Sequence, residues 1–257
     1  MAVKQTLDSR YQFENYVTGK SNQSAHAAAI NVADSLRSAC NPLYIFGGVG
    51  VGKTHLLQAI GNKLKKESCQ TKIFYIHATR YALGAVRAFQ NKQLDKFRQR
   101  FDSLDLLLID DIMLIADKPG TQQELFYLLE SLITSSKQVV ITSDAHPEDI
   151  LGFEPRLISR FCRGLTVAIE PPDLEMRAAI LLQKAIVSGN PIEEDVACFV
   201  AKHVRSDVRT LEGALNSIDA YARFHKRAIT IELVNEAIFT SRFSKEPDEK
   251  LEASPAS

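Results

Sequence analysis

The stretch Leu43-Tyr44-Ile45-Phe46-Gly47-Gly48-Val49-Gly50-Val51-Gly52-Lys53-Thr54 decides the fold. Its four apolar residues read as a buried strand, and His55-Leu56-Leu57-Gln58-Ala59-Ile60 opens a helical pattern just beyond the glycines. A strand that runs through a glycine loop into a helix N-terminus is a phosphate cradle, because free backbone N–H groups and the helix dipole converge on one point. Gly47, Gly50 and Gly52, followed by Lys53 and Thr54, fit the P-loop spacing. With that pattern Lys53 reaches the outer phosphates and Thr54 ligates Mg²⁺.

Outward from this loop, apolar runs at 43–46, 72–76, 104–109, 138–142 and 165–169 alternate with amphipathic intervals at 53–67, 81–91, 94–101, 121–135 and 156–163. Five such runs separated by helices predict an α/β fold with a parallel sheet covered on both faces. A further helix is expected at 22–38, capped by Ser21 and stopped before Asn41-Pro42. After Pro171-Pro172 the strand pattern ends, and helices are expected at 174–188, 193–203, 208–224 and 231–243. The expected organisation is an N-terminal extension packing on the core (1–20), an α/β nucleotide-binding core (21–171), a small all-helical lid (172–243) and a disordered tail (244–257).

Composition narrows the classes. Lys plus Arg equals Asp plus Glu, 31 each in 257 residues, so no global field draws the chain to DNA or to a membrane, and nucleic-acid binding has to be local. Cys40, Cys69, Cys162 and Cys198 are scattered without metal-ligand spacing, which suits idle thiols in a reducing cytoplasm. No apolar signal region or membrane-length run is present. The six histidines lack ligand-like spacing, and no nucleophile is paired with a base for covalent catalysis.

Leu106-Leu107-Leu108-Ile109-Asp110-Asp111 is an apolar strand ending in two carboxylates. A parallel sheet delivers them to the P-loop edge, where Asp110 can hold the Mg²⁺ water shell and Asp111 can orient an attacking water. Together with the P-loop they suggest a nucleotide hydrolase. Val139-Val140-Ile141-Thr142-Ser143-Asp144 repeats the design, and Asp144 or Ser143 can sense the γ-phosphate. Arg156 and Arg160 lie four residues apart on a short helix, so they share a face and repel unless an anion relieves them. Arg209 stands in the first turn of a helix, where a cation opposes the dipole and an anionic target offsets the cost. Solvation or an internal salt bridge accounts equally well for these arginines.

The segments at 13–22, 41–43, 47–55, 107–112, 156–161, 164–172 and 209–215 resemble the AAA+ domain of the DnaA family of bacterial replication initiators, over about residues 7–243. The resemblance implies a P-loop AAA+ core with a lid, binding ATP or ADP with Mg²⁺ and hydrolysing slowly as a switch. It implies that Lys53 and Thr54 form the Walker A pair and Asp110 and Asp111 the Walker B pair. Asp144 is then sensor 1, and Arg160 is an arginine finger reaching the ATP of a neighbouring subunit. Arg156 is tied to assembly, and Arg209 is the sensor 2 that tells ATP from ADP. Val86 and Lys118 keep two positions that line a pore for single-stranded DNA in the family. Gly120 replaces a basic residue expected there, so single-strand binding should be weak.

No duplex-reading helix-turn-helix domain is expected in the fourteen residues after 243, nor a further domain ahead of residue 7. Two readings therefore stand, beside a third in which the chain is a truncated or excised domain of a longer protein. One is an initiator module assembling head to tail with itself. The other is a regulator resembling the Hda-type inactivators, docking on full-length DnaA and stimulating its ATP hydrolysis. Neither needs a membrane.

Overall fold

The computed structural model describes residues 7–36, 40–204 and 207–240, which fall into two compact units divided between Asp173 and Leu174. In the first, strands β1 (Leu43–Phe46), β2 (Ile73–His77), β3 (Leu106–Asp110), β4 (Gln138–Ser143) and β5 (Leu165–Ala168) form one sheet in the order β2-β3-β4-β1-β5, with every pair parallel. The helices are α1 (Gln23–Asp34), α2 (Lys53–Glu67), α3 (Ala78–Gln90), α4 (Leu94–Asp102), α5 (Pro119–Thr134) and α6 (Pro155–Phe161).

Strand side chains alternate between two cores, as the period of two requires. Leu43, Ile45, Leu106, Leu108 and Val140 pack with Ala25, Ala29, Val32, Leu56 and Ile60 of α1 and α2. Tyr44, Leu107, Ile109, Val139 and Ile141 pack with α3, α4, α5 and α6. Burial on both faces explains why β3 is apolar up to its terminal carboxylate, each fully buried leucine contributing about 1.5–3 kcal/mol. Parallel strands bring the loops after β1, β3 and β4 to one edge, and these three strands are neighbours in the sheet. Two strand spacings, about 10 Å, separate the P-loop strand from the Asp110 strand, within reach of a lysine or threonine at the loop.

The first helix differs from expectation at both ends. Its N-cap is Asn22, not Ser21, and it ends at Asp34 rather than near Ser38, residues 37–39 lying outside the described residues. Asn22 wins because its side chain turns back into the preceding loop: Oδ1 accepts from the Gly19 amide (2.9 Å) and Nδ2 donates to the Val17 carbonyl (2.9 Å). Upstream, the segment from Leu7 lies along α2 on polar contacts. Gln58 Oε1 accepts from the Asp8 amide (2.8 Å), and Asn62 Nδ2 donates to the carbonyls of Asp8 (2.8 Å) and Tyr11 (2.7 Å). His55 Nε2 lies 2.9 Å from the Gln12 carbonyl. These partners explain why three polar residues of α2 are buried on one helix face.

The second unit holds α7 (Leu174–Val187), α8 (Glu194–His203), α9 (Val208–His225) and α10 (Ile231–Thr240) around Leu181, Val196, Leu211, Leu215 and Leu233. Asp207 caps α9 by accepting from the Thr210 amide (3.0 Å). The last three residues expected in α10 and the tail expected to be disordered lie outside the described residues. Among the described residues no helix is long and apolar enough to cross a membrane.

Candidate nucleotide-binding site

The glycine loop leaves β1 with the Gly47 amide bonded to the Ser143 carbonyl (3.2 Å), so β4 and the loop share an anchor. A Cβ at Gly47 would sit 2.2 Å from the Ile169 carbonyl oxygen, a contact no other residue tolerates. Gly50 and Gly52 adopt φ of 72° and 102°, the left-handed region open to glycine. Gly52 is then the N-cap of α2, with no side chain to accept from the first-turn amides and no acidic residue in that turn. A helix end left uncapped in this way suits an anion.

Lys53 is 5% exposed, and Nζ spends all three protons within the site. It donates to the carbonyls of Gly47 and Gly48 (2.8 Å each) and to Asp144 Oδ1 (2.7 Å). Thr54 Oγ1 donates to Asp110 at 3.0 Å. Asp110, 2% exposed, also accepts from Tyr75 Oη (2.9 Å) and Thr142 Oγ1 (2.5 Å). Thr142 Oγ1 in turn accepts from the Asp111 amide (3.0 Å). Thr142 thus locks the backbone of one carboxylate to the side chain of the other.

Asp111 has φ 56° and ψ 54°, a left-handed conformation that aspartate tolerates better than most residues, and it caps a 3₁₀ turn over Ile112–Ile115. Oδ2 lies 3.2 Å from His77 Nε2, while His77 Nδ1 accepts from the Thr79 amide (3.4 Å). Burial, and after it the charge of Asp110, holds the Asp111 carboxyl above the usual carboxylate range. Burial and Asp110 likewise push the Tyr75 hydroxyl up, keeping it a donor.

Five of the expected residues, Lys53, Thr54, Asp110, Asp111 and Asp144, therefore meet at one sheet edge. Tyr75, Thr142 and His77 join them and were not singled out from the sequence. The available signal was a tyrosine and a histidine alternating along β2 into its C-terminal end, in register with the β3 carboxylate.

The other expected residues lie on other elements. Arg156 and Arg160 lie on α6, where Arg156 Nε pairs with Glu154 Oε2 (2.6 Å) and Arg160 Nε with Glu130 Oε1 (2.5 Å). Of the alternatives the sequence left open for relieving their mutual repulsion, the structure shows internal salt bridges to these two glutamates. Val86 is 46% exposed on α3, and Lys118 is the exposed N-cap of α5. Gly120 is exposed too, and a Cβ there meets nothing within 4 Å. Arg209 is exposed in the first turn of α9, in the second unit, with no ion pair among the described residues.

The donor chemistry suits Mg²⁺ with a nucleotide. One carboxylate and one hydroxyl, both hard oxygens and already 3.0 Å apart, match an ion that keeps several waters and takes few protein ligands. Among the described residues no cluster of three His, Cys, Asp or Glu side chains offers a closed metal cage.

Residues 7–168 match the family described as the bacterial DnaA ATPase domain. This chain belongs to that family. It is 54% identical over 232 residues to the chromosomal replication initiator protein DnaA of Herminiimonas arsenicoxydans, aligning 90% of this chain with 50% of that protein. The chain spans about half the length of the curated DnaA relatives it matches. It superposes on domain III of the Thermotoga maritima replication initiation protein DnaA with a TM-score of 0.89 at 35% identity, covering 94% of this chain and 100% of that one. A replication initiator DnaA bound to AMPPCP and single-stranded DNA matches with a TM-score of 0.77 at 32% identity, over 86% of this chain and 70% of that one. The sheet order and the helices that follow it are the AAA+ architecture of DnaA domain III.

Proposed function

We propose that this chain is a DnaA-type AAA+ switch of the bacterial cytoplasm that binds ATP with Mg²⁺, hydrolyses it slowly and assembles head to tail in the initiation of DNA replication. The observation that carries this reading is the convergence of Lys53, Thr54, Asp110, Asp111 and Asp144 at the uncapped N-terminus of α2. Lys53 exchanges the two glycine carbonyls for phosphate oxygens while Asp144 keeps its ammonium aligned. Thr54 and Asp110 hold Mg²⁺, which supplies charge neutralisation on the phosphates when bound. Asp111 orients the attacking water. Arg209 reports the γ-phosphate, an assignment supported by the family motif. Nucleotide binding is further supported by the AMPPCP-bound DnaA that this chain resembles.

Arg160 acts in trans on the neighbouring subunit's ATP, with Arg156 at the same junction. Such a heterologous contact generates open helical filaments, and arginine fingers of this kind accelerate hydrolysis by about 10³–10⁵. Arg160→Ala is expected to abolish ATP-dependent filament growth in light scattering and to reduce hydrolysis at least about a hundredfold. Because this change strands the buried Glu130 oxygen, Arg160→Ala/Glu130→Ala serves as the stability control. Unchanged hydrolysis and assembly in both variants would refute the assignment.

Weak single-strand binding through Val86 and Lys118 completes this reading, and the open space at Gly120 makes it testable. A Cβ added at Gly120 meets no neighbour, so Gly120→Arg starts from open space at the exposed end of α5. It is expected to strengthen binding of an oligo-dT probe and to steepen the plot of log affinity against log salt by about 0.7. An unchanged slope would place the strand elsewhere. Gly120 is also the observation that favours the second reading, in which the chain docks on full-length DnaA and accelerates its hydrolysis. Mixing the two proteins separates the readings: acceleration of the initiator's turnover selects the regulator, and filaments of this chain alone select the initiator module.

A further inference from the structure

The side of Arg160 that faces its own chain is built. On α5, Phe126 and Glu130 are four residues apart and so share a face, and on α6 Arg156 and Arg160 do the same. The two faces meet. The Arg156 guanidinium lies 5.1 Å and the Arg160 guanidinium 5.7 Å from the centre of the Phe126 ring. Glu130 Oε1 is buried, accepts no hydrogen bond, and has its compensating charge in Arg160 Nε, 2.5 Å away. A buried carboxylate oxygen left to a single cation is costly unless that cation stays in place.

The contact is made at Nε, the inner nitrogen of the guanidinium. Nη1 and Nη2 form the planar fork that matches phosphate oxygens, and they are not the nitrogens nearest Glu130. An unsupported arginine loses substantial rotamer freedom when it engages a partner. The Phe126 ring and the Glu130 charge restrict that freedom beforehand and leave the fork nitrogens for a partner.

We infer that Glu130 is a positioning residue for Arg160: it orients the cation that this subunit lends to the next and has no part in the subunit's own nucleotide site. The inference rests on Arg160 acting in trans. It divides the molecule into a side that receives and a side that gives, and Glu130 belongs to the giving side alone.

Mixed assemblies test this division. Lys53→Ala subunits cannot use ATP but can lend Arg160, and Arg160→Ala subunits can use ATP but cannot lend. Mixing the two should restore hydrolysis above either alone. Glu130→Ala is then placed on one side at a time. Alanine suits the helix, and Glu130 is one-third exposed, so the fold is retained. In the lending subunit (Lys53→Ala/Glu130→Ala) the restored rate should fall about tenfold or more, the scale of loss when a catalytic group is misplaced by about an ångström. In the receiving subunit (Arg160→Ala/Glu130→Ala) it should remain as before. Equal losses on both sides, or no loss on the lending side, would overturn the role of Glu130. Failure of the unmodified pair to complement would overturn the trans reading of Arg160 itself, and with it this inference.

Discussion

Lys53→Ala is expected to weaken ATP binding at least about a hundredfold while the chain still folds. The ammonium makes three charge-assisted contacts in the present structure, and on the reading proposed above phosphate oxygens replace two of them, those to the carbonyls of Gly47 and Gly48. A charge-assisted hydrogen bond is worth about 1.5–3 kcal/mol net, so losing two from a bound phosphate costs about 3–6 kcal/mol. Folding survives because Asp144, its side chain one-third exposed, can be hydrated once its partner is gone. Calorimetric titration with ATP checks the first part, and a cooperative thermal melt by circular dichroism checks the second. Affinity within about threefold of the parent chain would remove Lys53 from the phosphate site.

Asp111→Asn is expected to do the reverse, sparing ATP affinity and reducing turnover by about 10²–10⁴, the range ascribed to a positioned acid or base. The substitution keeps the backbone: asparagine tolerates the left-handed conformation at φ 56°, and the amide bonded to Thr142 Oγ1 is retained. It removes only a charge that burial and Asp110 already oppose in the folded chain. The variant should therefore melt no lower than the parent at neutral pH while failing to turn over. Single-turnover hydrolysis with pre-bound ATP is the measurement, and a rate above about one-tenth of the parent's would exclude Asp111 from the reaction.

Much of this was legible in the sequence because the requirements are local. A loop with positive φ before an uncapped helix needs glycine, and a strand buried on both faces needs a continuous apolar run, so the sheet and the meeting of the glycine loop with the β3 carboxylate could be read directly. What stayed hidden is non-local. Glu130 and Phe126 reach Arg156 and Arg160 from a different helix, and nothing in the spacing of α6 shows which counter-charge waits opposite. The β2 strand ends at His77 rather than 76 because the polar ends of Tyr75 and His77 turn to Asp110 and Asp111, service that an apolar pattern does not record. The 3₁₀ turn at Ile112–Ile115 was missed for a similar reason. Its apolar residues look like a continuing strand, and only the reversal at Asp111 breaks the run.

The polar seam between the leading segment and α2 has a mechanical meaning. Asp8, Tyr11 and Gln12 are tied to Gln58, Asn62 and His55, and His55 directly follows the threonine of the phosphate loop. A pull on the segment that begins at Leu7 is therefore felt along α2 before it is felt by the sheet. Hydrogen bonds of this kind hold at a set length and release abruptly, so the seam is a tether with a breaking point: below it a pull passes into α2, and above it the segment parts from the helix.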